Sequence, residues 1–363
     1  MRRISDTIAR MAAHPYAPHP PEVPSRLALL ENFGSNPGAL EAHCYLPPDL
    51  RPNAPLVVVL HGCTQNAAGY NQGSGWSTLA DRAGFALLYP EQRRANNMNL
   101  CFNWFERSDI TRTGGEAESI AQMIETMVAT HRLDRSRIFV TGLSAGGAMT
   151  AVMLATYPDL FAAGAIIGGL PYGGATSMLQ ALDRMRGHGA DSAAVAADVV
   201  RGAAPGVAHR LPAVSIWHGD ADRTVVPANA DQLADQWRTV HGLPDAPSET
   251  KTGATWQKRV WRDASGRAAV EQWNVAGMGH GVPIDPSGPE RLGQAGPYML
   301  DVGLSSSRMI ADAWGLTSEA QATRPNDRTS KRPAGRGTPQ PVDSANAVQA
   351  IIARALRAAG LLH

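Results

Sequence analysis

Cysteine is scarce in this chain, and so are long hydrophobic runs and any excess of one charge. Three cysteines among 363 residues are too few for a disulfide-framed scaffold, and no His/Cys cluster predicts a metal site. The 33 basic and 32 acidic side chains leave a formal net charge of +1, so we predict no nucleic-acid partner. No apolar stretch reaches the roughly 20 residues of a membrane span. Nothing in the composition predicts a cofactor.

The N-terminal residues lack the apolar segment of roughly 7–15 residues that marks a secretory signal peptide. Arg2 and Arg3 follow Met1, but Asp6 and Arg10 come before any apolar segment develops. We therefore expect a cytoplasmic location. The alternative is an extracellular protein, which would either be exported by another route or have this sequence as its mature form.

Glycines bracket one serine near the middle of the chain, in the pattern Gly142-Leu143-Ser144-Ala145-Gly146. A β-rich run at 137–141 precedes this pattern, and a helical run at 147–155 follows it. A G-x-S-x-G between a strand and a helix is typical of the nucleophile elbow, whose tight turn lifts a serine hydroxyl above a sheet. A glycine-rich helix start capped by serine would not need the second glycine. We predict that Ser144 is a nucleophile.

Short apolar strands alternate with helical segments along most of the chain. Runs typical of buried parallel strands occupy 56–60, 85–89, 163–168 and 213–217. Helices are predicted near 76–83, 115–131 and 228–240, and two further strands within 256–275. The alternation predicts an α/β-hydrolase fold, with a doubly wound, mostly parallel sheet and helices on both of its faces.

Composition divides the chain into four segments. Residues 1–25 form a polar, proline-rich arm, and 26–318 the catalytic domain, in which the alanine-rich segment 175–210 is a candidate cap. Residues 319–341 have the composition of a disordered linker, and 342–363 the pattern of an amphipathic helix. Oligomeric state is not predicted.

A serine nucleophile needs a carboxylate to orient its base, and the elbow fold requires the chain order serine, acid, histidine. Asp222 lies in the loop after the predicted strand 213–217 and is our predicted acid. Asp220 is the alternative, although it is better placed to shape the turn. His218 precedes both acids, so it is predicted to be structural.

The predicted base is His280, which follows the last strand in a glycine-rich loop. His241, at the end of a polar helix, is the only other reasonable candidate. The oxyanion needs two donors, and the backbone N–H of Ala145 is the first. The second is expected from the loop after residue 60, with the Cys63 N–H ahead of Thr64.

Taken by themselves, Cys63 and Cys101 would be reduced thiols, and Cys44 a small buried residue in a strand. The chain nevertheless resembles the esterase family of polyhydroxybutyrate depolymerases and the related feruloyl and acetylxylan esterases. The resemblance covers about residues 26–315 and rests on five motifs, which are His61-Gly62-Cys63-Thr64-Gln65, Cys101-Phe102-Asn103-Trp104-Phe105, Gly142-Leu143-Ser144-Ala145-Gly146-Gly147, His218-Gly219-Asp220-Ala221-Asp222 and Gly279-His280-Gly281.

The resemblance implies a serine esterase with Ser144, Asp222 and His280 as its triad and the Cys63 and Ala145 amides as its oxyanion hole. It also implies a Cys63–Cys101 disulfide and a substrate contact at Trp104. A hydroxyalkanoate ester is the implied substrate, and a feruloyl, acetylxylan or short-chain ester is the alternative. Many relatives are secreted, unlike the expectation for this chain, and no polymer-binding domain is visible after residue 315. A noncatalytic binding protein on the same fold is the third interpretation.

Overall fold

The computed structural model of the protein describes residues 25–206 and 211–317. The predicted arm, apart from residue 25, lies outside the described residues, and so do the predicted linker 319–341 and the predicted helix 342–363. Within the described ranges, every helix is too short or too polar to cross a lipid bilayer.

The described residues form one ten-stranded sheet and a separate two-stranded parallel sheet. In chain order the strands are β1 (Ala28–Leu29), β2 (Glu41–Tyr45), β3 (Leu56–Leu60), β4 (Ala86–Glu91), β5 (Ile138–Leu143), β6 (Ala163–Ile167), β7 (Ala213–Gly219), β8 (Glu249–Thr252), β9 (Trp256–Arg262), β10 (Ala268–Val275), β11 (Val282–Ile284) and β12 (Met299–Asp301). The large sheet has the order β1-β2-β4-β3-β5-β6-β7-β10-β9-β8, in which the adjacent strands from β4 to β10 are parallel to one another. Antiparallel strands form both edges, β2 and β1 on one side and β9 and β8 on the other.

Helices cover both faces of the large sheet. They are α1 (Ala67–Ser74), α2 (Trp76–Ala83), α3 (Gly115–His131), α4 (Ala145–Thr156), α5 (Met178–Met185), α6 (Ala193–Ala203), α7 (Ala228–Val240) and α8 (Ser306–Ala313). The predicted bounds of α2, α3 and α7 are confirmed. Five further elements, which are short, were not predicted from the sequence: α1, α8, β8, β11 and β12.

The core has two layers because the buried strands alternate their side chains between the faces of the sheet. In β3, Leu56, Val58 and Leu60 join the cluster that includes α3, α4, α6 and α7. Val57 and Val59 join the opposite cluster, to which α1, α2 and α8 contribute. The predicted α/β fold with helices on both faces is confirmed.

The candidate cap at 175–210 is not one continuous helix. Its described part forms α5 and α6, separated by a turn around Gly187 and Gly189, and residues 207–210 lie outside the described part. Ala197 and Val200 of α6 are buried in the core cluster shared with α4 and α7. Part of the segment therefore belongs to the helical layer of the domain. Whether the rest covers the active site stays a prediction.

Candidate active site

Ser144 lies in the sharp turn between β5 and α4, as the strand–turn–helix pattern predicts. Its backbone angles are φ 58° and ψ −117°, which non-glycine residues rarely adopt. Gly146 is needed in this turn, because an added Cβ would lie 2.3 Å from the Leu60 carbonyl oxygen and 2.5 Å from that of His61. The first turn of α4 can therefore approach the end of β3 only without a side chain at residue 146.

His280 follows β10 and lies beside the end of β6. A Cβ added to Gly168 would be 3.2 Å from His280 Cε1, so the imidazole packs directly against this glycine. The preceding residue, Ile167, accepts a hydrogen bond from the Ser144 N–H at 2.9 Å. The ends of β5 and β6 therefore bring the backbone of Ser144 and the ring of His280 into the same small region. Within the described ranges, the Ser144 hydroxyl has no hydrogen-bond partner, as is frequent in substrate-free active sites.

Asp222 bonds the imidazole of His280 directly. Its Oδ2 lies 2.6 Å from His280 Nδ1, while Oδ1 accepts the N–H groups of Thr224 and Val225 at 2.8 and 3.0 Å. Burial alone would raise the pKa of this carboxyl, but its hydrogen bond and electrostatic interaction with His280, together with the hydrogen bond from the Thr224 N–H, outweigh burial and hold the pKa below its ordinary value. Asp222 is thus a buried carboxylate that fixes one nitrogen of the imidazole.

The alternative residues of the sequence analysis lie elsewhere. Asp220 is exposed, and its Oδ1 accepts a hydrogen bond from the Gly277 N–H at 2.6 Å. This hydrogen bond stabilises the loop that carries His280. His241 caps the end of α7, where its Nε2 lies 3.1 Å from the Pro212 carbonyl oxygen. His218 is buried, with its Nε2 3.4 Å from Asp222 Oδ2. Neither Asp220 nor His241 contacts the imidazole of His280 in the described structure.

Two backbone N–H groups are available for an oxyanion. Ala145 begins α4, where the first N–H groups of a helix have no acceptor within that helix. In the loop after β3, the Thr64 N–H donates to the Asn99 carbonyl at 2.6 Å, and the Gly62 N–H donates to Gln65 Oε1 at 2.8 Å. The Cys63 N–H has no acceptor among the described residues. The structure thus leaves Cys63, and not Thr64, with a free donor.

Cys63 and Cys101 form a disulfide, as the resemblance implied, and Cys44 is a free, buried thiol. The disulfide joins the loop that carries the Cys63 N–H to the loop that carries Trp104. Trp104 is 6% exposed and packs edge to face against Phe105. It lines a cavity of about 50 Å³ together with Leu170, Tyr172 and Val199. Contact of Trp104 with a substrate stays a prediction.

A buried polar network, which the sequence analysis missed, connects the same two loops. Glu116 of α3 is 1% exposed and accepts hydrogen bonds from Gln92 Nε2 at 2.5 Å and from the Asn103 N–H at 2.8 Å. The Gln92 N–H donates to His61 Nε2 at 3.1 Å, and Gln92 Nε2 also reaches the Cys101 carbonyl at 3.0 Å. A glutamate in the first turn of a helix is usually exposed to solvent, so the sequence position of Glu116 did not indicate that it would be buried.

Burial shifts the pKa values within this network. It raises the pKa of Glu116 to about 8, and the charge of Asp109 adds to the effect, against the hydrogen bonds that favour the carboxylate. Burial lowers the pKa of His61 to about 4. The imidazole of His61 is thus neutral at pH 7, which suits its Nε2 to accept the N–H of Gln92.

One group of side chains offers the donor types of a metal site. Glu41 and His43 on β2 and Glu91 on β4 place one ligand atom each within 4.8 Å of one another. Both carboxylates already have partners, since Glu41 pairs with Arg93 at 3.1 Å and Glu91 accepts the Ala67 N–H at 2.7 Å. In the order of the sheet, β2 lies three positions and β4 two positions from β5, the strand that precedes Ser144.

Comparison with known proteins finds esterases in both sequence and structure. The profile of the family described as Esterase PHB depolymerase matches residues 40–260, more than half of the chain. Poly(3-hydroxyalkanoate) depolymerase C of Paucimonas lemoignei is 46% identical over 291 residues, which cover 80% of this chain and 70% of that protein. Feruloyl esterase B of Talaromyces funiculosus is 32% identical over 269 residues, covering 72% of this chain and 74% of that protein.

A solved structure shares the fold over nearly its whole length. The acetyl xylan esterase from Aspergillus awamori superposes with a TM-score of 0.69 at 26% identity, covering 80% of this chain and 99% of that one. These similarities and the arrangement around Ser144 concern the same domain, because the matched residues 40–260 include the elbow and Asp222.

Proposed function

This chain belongs to the esterase family of the polyhydroxybutyrate depolymerases and is a carboxylic-ester hydrolase, and on that premise we propose that it cleaves hydroxyalkanoate esters with Ser144, His280 and Asp222. The observation that carries the assignment of residues is the bond between His280 and Asp222 beside a serine in an elbow conformation. The noncatalytic interpretation is abandoned, since the family and the relatives are esterases.

The proposed reaction runs through an acyl-enzyme. Ser144 Oγ attacks the ester carbonyl carbon while His280 Nε2 takes the hydroxyl proton, and Asp222 stabilises the imidazolium that results. The N–H groups of Cys63 and Ala145 bind the negative oxygen of the tetrahedral intermediate. His280 then gives its proton to the leaving alcohol. Water, activated by the same imidazole, attacks the acyl-enzyme and releases the acid and free Ser144.

The preference for hydroxyalkanoate esters is supported by the 46% identity to the depolymerase of Paucimonas lemoignei, against 32% to the feruloyl esterase. A feruloyl or acetylxylan ester is the second candidate. It is favoured by one specific observation, the match of 99% of the acetyl xylan esterase structure to this fold.

A panel of esters tests the proposal. Wild-type protein is expected to hydrolyse p-nitrophenyl esters and to release soluble acid from hydroxybutyrate oligomers with a higher kcat/KM than from methyl ferulate or acetylated xylan. Faster cleavage of methyl ferulate or of acetylated xylan would transfer the assignment to the second candidate.

Replacement of the nucleophile tests the mechanism on the same panel. Ser144→Ala is expected to lower kcat on the order of 10³-fold or more, because no other group in the proposed site forms the acyl-enzyme. Circular dichroism should show an unchanged fold. Turnover close to wild type in a folded variant would refute the role of Ser144.

We propose an oxidising compartment as the working location, in preference to the cytoplasm. The support is the Cys63–Cys101 disulfide, since such bonds persist outside the reducing cytoplasm. Production in the reducing cytoplasm and in the periplasm of one host tests whether the bond requires an oxidising compartment, as the proposal assumes. Only the periplasmic product should contain the bond if oxidation depends on the compartment.

A further inference from the structure

A second histidine approaches the same oxygen of the candidate acid, Asp222 Oδ2, that bonds the imidazole of His280. His218 lies near the end of β7 and is 2% exposed. Its Nε2 is 2.8 Å from the Val225 carbonyl oxygen and 3.4 Å from Asp222 Oδ2. Val225 in turn donates its N–H to Asp222 Oδ1 at 3.0 Å. His218 therefore reaches the carboxylate both directly and through the backbone of Val225.

The protonation of the His218 ring follows from these partners. A carbonyl oxygen can only accept a hydrogen bond, so Nε2 carries the proton and donates the hydrogen bond to the Val225 carbonyl oxygen. Burial lowers the pKa of His218, which leaves the ring neutral and Nδ1 without a proton. Nδ1 is buried and has no hydrogen-bond partner among the described residues. The ring is thus held by its Nε2–H alone.

The other charged groups around His218 do not replace that contact. His218 lines a cavity of about 60 Å³ with the ion pair of Arg259 and Asp231 and with amide side chains that include Gln272. Arg259 and Gln272 both bond within this group, since Arg259 donates to Gln272 Oε1 at 2.6 Å and Gln272 donates to Asp231 Oδ1 at 3.0 Å. Within the described residues, His218 is thus the member of this group that contacts Asp222.

We propose that His218 is a positioning residue for the reaction, whose Nε2–H fixes the Val225 backbone and the Asp222 carboxylate in the orientation that His280 requires. The inference rests on the proposed triad, because His218 acts only through Asp222. An orienting carboxylate that shifts by about 1 Å can cost on the order of 10²-fold in rate, so the loss of this donor should lower kcat. Since His218 would act through Asp222 and not on the substrate itself, KM should stay near its wild-type value.

Two amide substitutions separate the roles of the two ring nitrogens. The side-chain amide of His218→Gln can place an N–H where Nε2 stands, whereas that of His218→Asn can reach only the position of Nδ1. We expect His218→Gln to keep kcat on p-nitrophenyl butyrate within about threefold of wild type. His218→Asn should lose on the order of tenfold or more at unchanged KM. The rate of Ser144 labelling by diethyl p-nitrophenyl phosphate should fall in parallel, independently of substrate preference.

The reactive serine is titrated to completion with the same phosphate ester, and kcat is expressed per titrated active site. Unfolded protein in a less stable variant is then not counted as a loss of kcat. His241→Asn is the matched control, since His241 Nε2 likewise approaches a backbone carbonyl, that of Pro212, but lies away from Asp222. It should leave kcat unchanged. Wild-type kcat in His218→Asn, or equal losses in the Asn and Gln variants, would overturn the inference. Full activity of Ser144→Ala would instead refute the proposed triad itself.

Discussion

Ser144, the proposed nucleophile, is held in a backbone conformation that is rare for residues other than glycine. A serine with φ 58° persists because β5 and α4, which flank it, are buried along their whole lengths. The two acids in the loop after β7, Asp220 and Asp222, have different partners. Asp222 is buried against His280, while exposed Asp220 binds the backbone at Gly277.

The acids are distinguished by amide substitution. Asp222→Asn should lower kcat on the order of 10³-fold or more, because an amide can stabilise neither the imidazolium nor its correct tautomer. Asp220→Asn should cost less than about tenfold, since the amide oxygen can still accept the Gly277 N–H. Both variants are measured on p-nitrophenyl butyrate at equal thermal stability. The reverse ranking would assign the acid to Asp220.

Glu116 predicts a dependence of stability on pH. Its pKa is about 8 in the folded protein, above the ordinary 4.5, so the folded state holds a proton that the unfolded chain releases between these values. The stabilisation due to this proton is full below pH 4.5 and is lost as the pH rises toward 8. We therefore expect the free energy of unfolding to decline over this window less steeply in Glu116→Gln than in wild type.

Urea unfolding at several pH values measures this difference. Glu125→Gln is the control on the same helix, because the side chain of Glu125 is 44% exposed and pairs with Arg135. It should follow the wild-type slope. Equal slopes in all three proteins would mean that Glu116 is ionised throughout the window.

Among the elements, the two loops after β3 and β4 are joined to each other at several points. The disulfide, the hydrogen bond from Thr64 to Asn99 and the hydrogen bond from the Gln92 N–H to His61 all connect them. The Cys63 N–H is thereby held beside the elbow, where a misplaced oxyanion donor can cost about 10²-fold in kcat.

The disulfide prediction follows from this connection. Cys101→Ser should lower the melting temperature, because the bond closes a loop between residues 38 apart, worth roughly 3–4 kcal/mol in the chain-entropy model. It should also lower kcat through the freed Cys63 loop. Cys44→Ala, which changes a cysteine outside the disulfide, should keep wild-type kcat. Thiol titration of denatured, unreduced wild-type protein should count one thiol, that of Cys44, and a count of three would refute the bond in solution.

At the scale of the whole molecule, the loops that carry the candidate site residues all follow the carboxyl ends of parallel strands, and they therefore lie at the same end of the sheet. The last described helix, α8, packs on one face of the sheet, and after it Trp314 stacks on Phe139 with ring centroids 4.8 Å apart and on Trp76 at 6.2 Å. Among the described residues, the second core layer extends as far as Leu316.

Truncation tests whether the catalytic unit ends there. Removal of residues 319–363 should leave kcat on soluble esters and the melting temperature close to wild type, since every candidate catalytic residue precedes residue 281 and Trp314 is retained. A truncation that also removes 306–318 is the contrasting variant, and it should destabilise the protein by exposing Trp76 and Phe139. A large loss of kcat in the shorter truncation, with its fold intact, would assign the C-terminal segment to the catalytic unit.

The sequence by itself determined the features that depend on local patterns. Alternation of apolar strands and helices predicted the fold, because burial on both faces leaves a continuous apolar run in each parallel strand. Glycine spacing predicted the elbow at Ser144, and chain order predicted Asp222 and His280, which the structure brings into contact.

Only the tertiary structure decided which groups share a partner. The sequence analysis treated His218 as structural and overlooked Glu116, because nothing local distinguishes a histidine beside Asp222 from one in an ordinary core. The sequence position of Cys63 already favoured it over Thr64 as donor, but the structure adds the reason, a hydrogen bond from the Thr64 N–H to Asn99, a residue 35 positions further along the chain. Such contacts join distant segments, and their geometry is set by how the strands pair and the loops pack.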